Sequence, residues 1–254
     1  MTIPSSEPRE AGDKRAENGL KQTIKALAFD VFGTVVDWHR GIREEAAALA
    51  ARHGIAGDWA RFAEDWRAGY PRAMDRVRKG ELPWKRIDAL HRMILDDIAP
   101  RHGLAGLPEA ELAQLNLAWH RLPAWPDAVA GLTLMKRERI ITTLSNGNFS
   151  LLTEMAKHAA LPWDCIISAE LFRHYKPDAE AYLGCADLLD IAPQELMLVA
   201  CHPSDLRAAR AQGLRTAYVQ RPLEMGPGKA LPQVAEAEFD LVAADFIELA
   251  ARLA

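Results

Sequence analysis

The stretch Ile24-Lys25-Ala26-Leu27-Ala28-Phe29-Asp30-Val31-Phe32-Gly33-Thr34-Val35-Val36-Asp37 decides the fold. Its apolar run, Ile24 to Phe29, ends in Asp30 and is followed by Gly33, which reads as a short buried strand whose carboxyl end opens into a turn. Further apolar runs read the same way: Arg139 to Leu144 before Ser145-Asn146-Gly147, Leu196 to Cys201 before His202-Pro203, and Arg215 to Val219. Between the later runs lie helix-like stretches, Leu151 to His158, Asp178 to Leu189 and Asp205 to Gln212. Near-continuous apolar strands alternating with helices predict an α/β fold, a doubly wound (Rossmann-like) parallel sheet covered on both faces.

The first two runs are separated by far more chain than an unstructured connection spans, so something folded must lie between them. From Gly41 to about Arg121 the sequence is rich in Ala, Leu, Arg and Glu, with Trp59, Phe62 and Trp66, and then Ile87, Leu90, Ile94 and Leu95, at helical spacing. Pro71, Pro83, Pro100 and Pro108 punctuate it into about four helices. The expectation is a helical cap domain over residues 38–121, inserted after the first strand of a core made of residues 23–37 and 122–254. Residues 1–22 hold Pro4, Ser5, Ser6, Pro8 and Gly12 among many charges and read as a mobile tail.

The chain has 254 residues, 49% of them hydrophobic and 26% charged. A chain of this size buries roughly 75% of its unfolded surface, which excludes disorder, collagen and small disulfide scaffolds. The balance of 31 Lys and Arg against 35 Asp and Glu lacks the basic excess of a nucleic-acid binder. No apolar run approaches the roughly 18 residues of a membrane helix, and the N-terminus lacks a secretory signal's apolar centre. Three sparse cysteines, Cys165, Cys185 and Cys201, form no Cys-x-x-Cys pair and point to a reducing compartment, so the cytoplasm is expected. A homodimer is compatible with these observations.

In an open parallel sheet, ligands bind outside the carboxyl ends of the strands. That rule selects Asp30, Ser145, Asn146 and Asp205, and Lys176 lies in a loop after the run Cys165 to Leu171 from which it can reach the same rim. Two carboxylates, an ammonium, a hydroxyl and an amide are expected to converge beneath the lid. Cys201-His202 suggests a thiol nucleophile, but adjacent strand residues point to opposite faces. The histidines show no ligand spacing such as His-x-x-x-His, so no metal site is expected. Gly226-Pro227-Gly228 reads as a loop rather than a phosphate cradle.

Asp30-Val31-Phe32-Gly33-Thr34 with Val35-Val36-Asp37, Leu144-Ser145-Asn146-Gly147, Lys176-Pro177-Asp178, and Val199-Ala200-Cys201-His202-Pro203-Ser204-Asp205-Leu206 resemble, in order, the motifs of the haloacid dehalogenase superfamily. The likeness runs from about residue 24 to 221. Phosphatases of that superfamily carry a second aspartate two residues after the nucleophile, to protonate an alkoxide leaving group; here Phe32 stands there. They also hold Mg²⁺, a hard cation wanting several oxygen ligands, through an acid pair that here is Ser204 and Asp205. A halide leaves as a stable anion and needs neither device. The chain therefore looks like a type II 2-haloacid dehalogenase that uses no cofactor, the alternative being a Mg²⁺-dependent small-molecule phosphatase.

The resemblance implies roles. Asp30 displaces halide from a short 2-haloalkanoic acid, forming an ester that water hydrolyses. Lys176 keeps Asp30 ionised. Asp205 holds Lys176 and positions or deprotonates the water. Thr34 orients Asp30, and Ser145 and the amides after Phe32 bind the substrate carboxylate. Arg67 and Asn146 cradle the halide, and Tyr182 lies near the site. Well-known members have Ser and Asn where Ala200 and His202 stand; a neutral His202 can offer one N–H near Asp205 and the ester.

Overall fold

The computed structural model describes residues 19–229, 234–235 and 237–254. Five parallel strands, β1 (Ala26–Phe29), β2 (Ile140–Thr143), β3 (Leu196–Ala200), β4 (Arg215–Val219) and β5 (Leu241–Ala243), form one sheet in the order β2-β1-β3-β4-β5. In-register pairing sets Phe29 beside both Thr143 and Val199. The winding direction reverses at β1, so the topological switch point lies at the carboxyl ends of β1 and β3. The strands are buried on both faces and alternate between two cores. Leu27, Phe29, Met197 and Val199 enter one, and Ala26, Ala28, Leu196 and Leu198 the other.

Helices cover each face. On the first pack α5 (Ala128–Met135), α6 (Phe149–His158) and α9 (Phe246–Leu253), through Leu132, Leu151, Met155 and Phe246. The second is covered by α7 (Ala179–Leu188) and α8 (Pro203–Ala211), through Tyr182, Cys185, Leu206 and Ala209.

Between β1 and β2 stand α1 (Trp38–Arg52), α2 (Trp59–Arg78), α3 (Ile87–Ile98) and α4 (Glu109–Asn116), the helical cap. Asp37 and Asp58 cap α1 and α2, each carboxylate accepting a backbone N–H three residues on. Pro71 does not end a helix as its sequence position suggests; it lies inside α2. An internal proline costs about 3 kcal/mol, and the buried stripe Phe62, Trp66, Tyr70 and Met74, running through it, outweighs that cost. The chain leaves the sheet and returns through paired linkers, Asp37 N donating to Pro123 O (2.9 Å) and Trp125 N to Val35 O (3.0 Å).

Two expectations are corrected. Residues 19–22, read as tail, are helical together with Thr23, and Leu20 packs against the core; residues 1–18 lie outside the described residues. The strand β5 has no counterpart in the sequence reading, because three residues are too short to carry a periodicity.

Candidate active site

Asp30 follows β1 directly, and its N–H still pairs with Val199 O at 3.0 Å, which fixes its side chain at the switch point. Three groups converge on its buried carboxylate. Lys176 Nζ donates to Oδ1 at 3.0 Å, the Thr34 hydroxyl donates to Oδ2 at 2.8 Å, and His202 Nδ1 lies 2.9 Å from Oδ2. Thr34 is oriented in turn by the Cys201 N–H, which donates to Oγ1 at 3.0 Å. Burial would raise the Asp30 carboxyl, but the Lys176 ammonium and His202 hold it well below the ordinary carboxylate range. Burial likewise opposes the charge on Lys176, and Asp205 and Asp30 overcome it.

Asp205, in the first turn of α8, is engaged at both oxygens: Oδ2 accepts from Lys176 and Oδ1 accepts from Tyr182 OH at 2.6 Å. Burial and then Asp205 keep Tyr182 a phenol, hence a donor. Asn146 Oδ1 accepts from Lys176 N at 2.7 Å, tying the Lys176 loop to the loop after β2. Ser145, fully buried, accepts from Gly147 N at 3.2 Å.

A cavity of about 250 Å³ lies over Asp30, lined by Phe32, Arg67, Tyr70, Met74 and Ser145 among others. Phe32 is wedged edge-on against Tyr70, His91 and Trp119. Burial pushes the His91 imidazole down to about 3, so it stays neutral in this aromatic wall. The Arg67 guanidinium lies 4.7 Å from the Tyr70 ring centroid and 5.6 Å from that of Trp38. Its Nη1 is buried with no hydrogen-bond partner in the protein.

His202 differs from expectation. Its partners are Asp30 and Glu224, not Asp205: Nε2 lies 2.8 Å from Glu224 Oε1, which also accepts from Trp38 Nε1 at 3.2 Å. With a carboxylate at each ring nitrogen, both nitrogens donate and the ring is an imidazolium. Burial works against that charge, yet the neighbouring Cys201, Asp30 and Glu224 raise the group well above the ordinary imidazole range. Cys201 is a thiol, held protonated mainly by burial, so the two carboxylates are the effective partners. The opposite-faces argument also fails, because β3 ends at Ala200 and the chain turns: Cys201 Sγ lies 3.6 Å from His202 Nε2.

Glu224 is the residue that sequence reasoning missed. It lies five residues past the carboxyl end of β4, and the rule that selected Asp30 would have found it had it been applied to this strand too. Gly33 makes room for it: at φ +86° it turns the chain, and a Cβ there would come within 2.3 Å of Glu224 Oε1.

These shifts carry a stability signature. A raised His202 contributes stability that is fully present below its unfolded value near 6.5 and fades as pH rises through its folded value. The melting temperature of the wild type relative to His202→Asn is therefore expected to be highest below pH 6.5 and to shrink steadily above it; a difference independent of pH would contradict the imidazolium.

An aspartate held anionic and aimed into a cavity at the switch point of a parallel sheet fits a hydrolase with a carboxylate nucleophile. The model of the haloacid dehalogenase-like hydrolases matches residues 24–213, and the chain belongs to that family. The crystal structure of a defluorinating L-2-haloacid dehalogenase superposes with a TM-score of 0.87 at 46% identity, covering 91% of this chain and 95% of that one. Another L-2-haloacid dehalogenase structure gives 0.85 at 47% identity, covering 91% and 100%. Among curated relatives, (S)-2-haloacid dehalogenase 1 of Pseudomonas sp. (strain CBS-3) is 29% identical over 209 residues, 78% of this chain and 85% of the relative.

Proposed function

We propose that the chain hydrolyses short 2-haloalkanoic acids to 2-hydroxy acids through an ester on Asp30. The observation that carries this reading is the ionised Asp30 facing a cavity lined by Arg67, whose buried Nη1 has no partner in the protein. An Asp30 oxygen attacks the 2-carbon from behind, halide departs toward Arg67, and the carbon inverts. Ser145 and the amides after Phe32 hold the substrate carboxylate, and Asn146 keeps Lys176 in place.

The ester removes the Asp30 charge, so His202 loses one of its two anionic partners and its Nδ1 proton passes to solvent in the cavity that His202 lines. Glu224 keeps Nε2–H, leaving the Nδ1 lone pair beside the ester as the base for water. Asp205, with both oxygens taken, acts by positioning Lys176. The phosphatase reading is disfavoured by Phe32, which stands in an aromatic wall where a proton donor is needed.

A single turnover in ¹⁸O water tests the scheme. Label is expected in Asp30 and not in the first hydroxy-acid product, with the rate unchanged by excess EDTA; label in that product would indicate direct attack by water. The name of the 46% identical neighbour places fluorinated acids beside chlorinated and brominated ones in the substrate panel.

The division into a cap of residues 38–121 and a core of residues 23–37 and 122–254 belongs to the same proposal, supported by the paired linkers. Residence in the cytoplasm is supported by three free thiols. Among the described residues no helix is long and apolar enough to cross a membrane. Pairing into a homodimer is read by sedimentation.

A further inference from the structure

We propose that Cys201, His202 and Glu224 form a binding site for a thiophilic divalent cation of the zinc class, and that its occupancy arrests the enzyme at the ester. The three side chains place a sulfur, a nitrogen and a carboxylate oxygen within 4.8 Å of one another. Cys201 Sγ lies 3.6 Å from His202 Nε2 and 3.5 Å from Glu224 Oε2. A tetrahedral Zn²⁺, with Zn–S of about 2.3 Å and Zn–N and Zn–O of about 2.0–2.1 Å, needs edges of about 3.6 Å and 3.5 Å between those atoms. Two of the three edges are thus already at their coordinated length. The third pair, His202 Nε2 and Glu224, is hydrogen-bonded through the other carboxylate oxygen, Oε1, at 2.8 Å, and the cation would take the place of that proton while binding Oε2.

The donor set selects the metal. Thiolate and imidazole favour Zn²⁺ and its neighbours, whereas Mg²⁺ wants six oxygens and finds one carboxylate here. Access and a fourth ligand come from a hollow of about 510 Å³ that adjoins the cavity over Asp30 and is lined by Cys201, His202, Glu224, Met225 and Lys229 among others; water there completes the tetrahedron. Cys201 is not tied up in a disulfide.

On binding, the cation forms bonds to Sγ, Nε2 and one Glu224 oxygen. The Cys201 thiol proton and the Nε2 proton leave to solvent. The consequence for the reaction rests on the hydrolytic reading above. With metal on Nε2, the ring holds its remaining proton on Nδ1, and the lone pair that would take a proton from water is gone. Displacement of halide by Asp30 needs no such lone pair, so a loaded enzyme turns over once and stops.

Binding is tested apart from catalysis with Co²⁺ as a spectroscopic substitute on the full chain. One equivalent is expected, with thiolate-to-cobalt charge-transfer absorption and tetrahedral d–d bands that Zn²⁺ bleaches. Cys201→Ser abolishes the charge-transfer band and lowers Zn²⁺ affinity at least tenfold by equilibrium dialysis, while Cys165→Ser and Cys185→Ser, covering the other two thiols, keep both. An unchanged band in Cys201→Ser, or octahedral spectra without thiolate absorption, overturns the site. For catalysis, Zn²⁺-loaded enzyme is expected to release one equivalent of halide, retain the acyl mass and recover with EDTA, with Mg²⁺ inert. Tight binding without inhibition would leave the site standing and overturn the arrest; loss of halide release even in the first turnover would do the same.

Discussion

Asp30→Ala is expected to lower halide release by roughly 10⁴-fold or more, the scale seen when a covalent nucleophile is removed. The variant is expected to fold, because neither cation beside Asp30 is orphaned: Lys176 keeps Asp205, and His202 keeps Glu224. Arg67 is untouched, so a 2-haloacid should still bind, measurably by calorimetry, while ion chromatography finds no halide above background. Activity within about tenfold of wild type would mean that a water molecule attacks the carbon directly, and the ester scheme would fall.

His202→Asn is expected to separate the two chemical steps. Asn can donate a hydrogen bond but cannot take a proton, so halide should appear in a burst of one equivalent, after which steady turnover falls by about 10²–10⁴-fold. Intact-mass measurement should find the protein heavier by the acyl group, and peptide mapping should place the addition on Asp30. His202→Ala should stall at the same point, although an N–H donor near Asp205 would have favoured Asn. The structure removes the basis for that preference, since His202 faces Asp30 and Glu224. Full turnover without an adduct in both variants would return the role of base to Asp205.

Much of this arrangement is legible in the sequence, for definable reasons. The strands β1, β3 and β4 are apolar runs buried on both faces, and β1 and β3 end in residues whose chemistry contrasts with the run before them. Asp30, Ser145 and Asp205 could be placed because each lies within a few residues of a strand end. Their partners could be placed less well. Whether Asp205 faces water or Tyr182, and whether His202 faces Asp205 or Glu224, depends on side-chain directions past the last strand residue, where period-two alternation no longer applies. Glu224 also lies near a strand end, but its contact across the turn at Gly33 joins segments far apart in the chain, and no spacing encodes that partner. Pro71 shows the opposite limit: a local rule correctly stated and outweighed by a buried stripe.

The paired linkers at Val35–Asp37 and Pro123–Trp125 have a consequence for how such a protein can change over generations. Because the excursion departs and rejoins at one point, β1 and β2 meet the same boundary whatever is spliced between them. The closure entropy of that excursion grows only with the logarithm of its length, about 0.6 kcal/mol per doubling. Lids of different length, and with them different cavities, can therefore be exchanged over an unaltered Asp30, Lys176 and Asp205. The nucleophile is inherited with the sheet, while the choice of what it attacks travels on a replaceable segment.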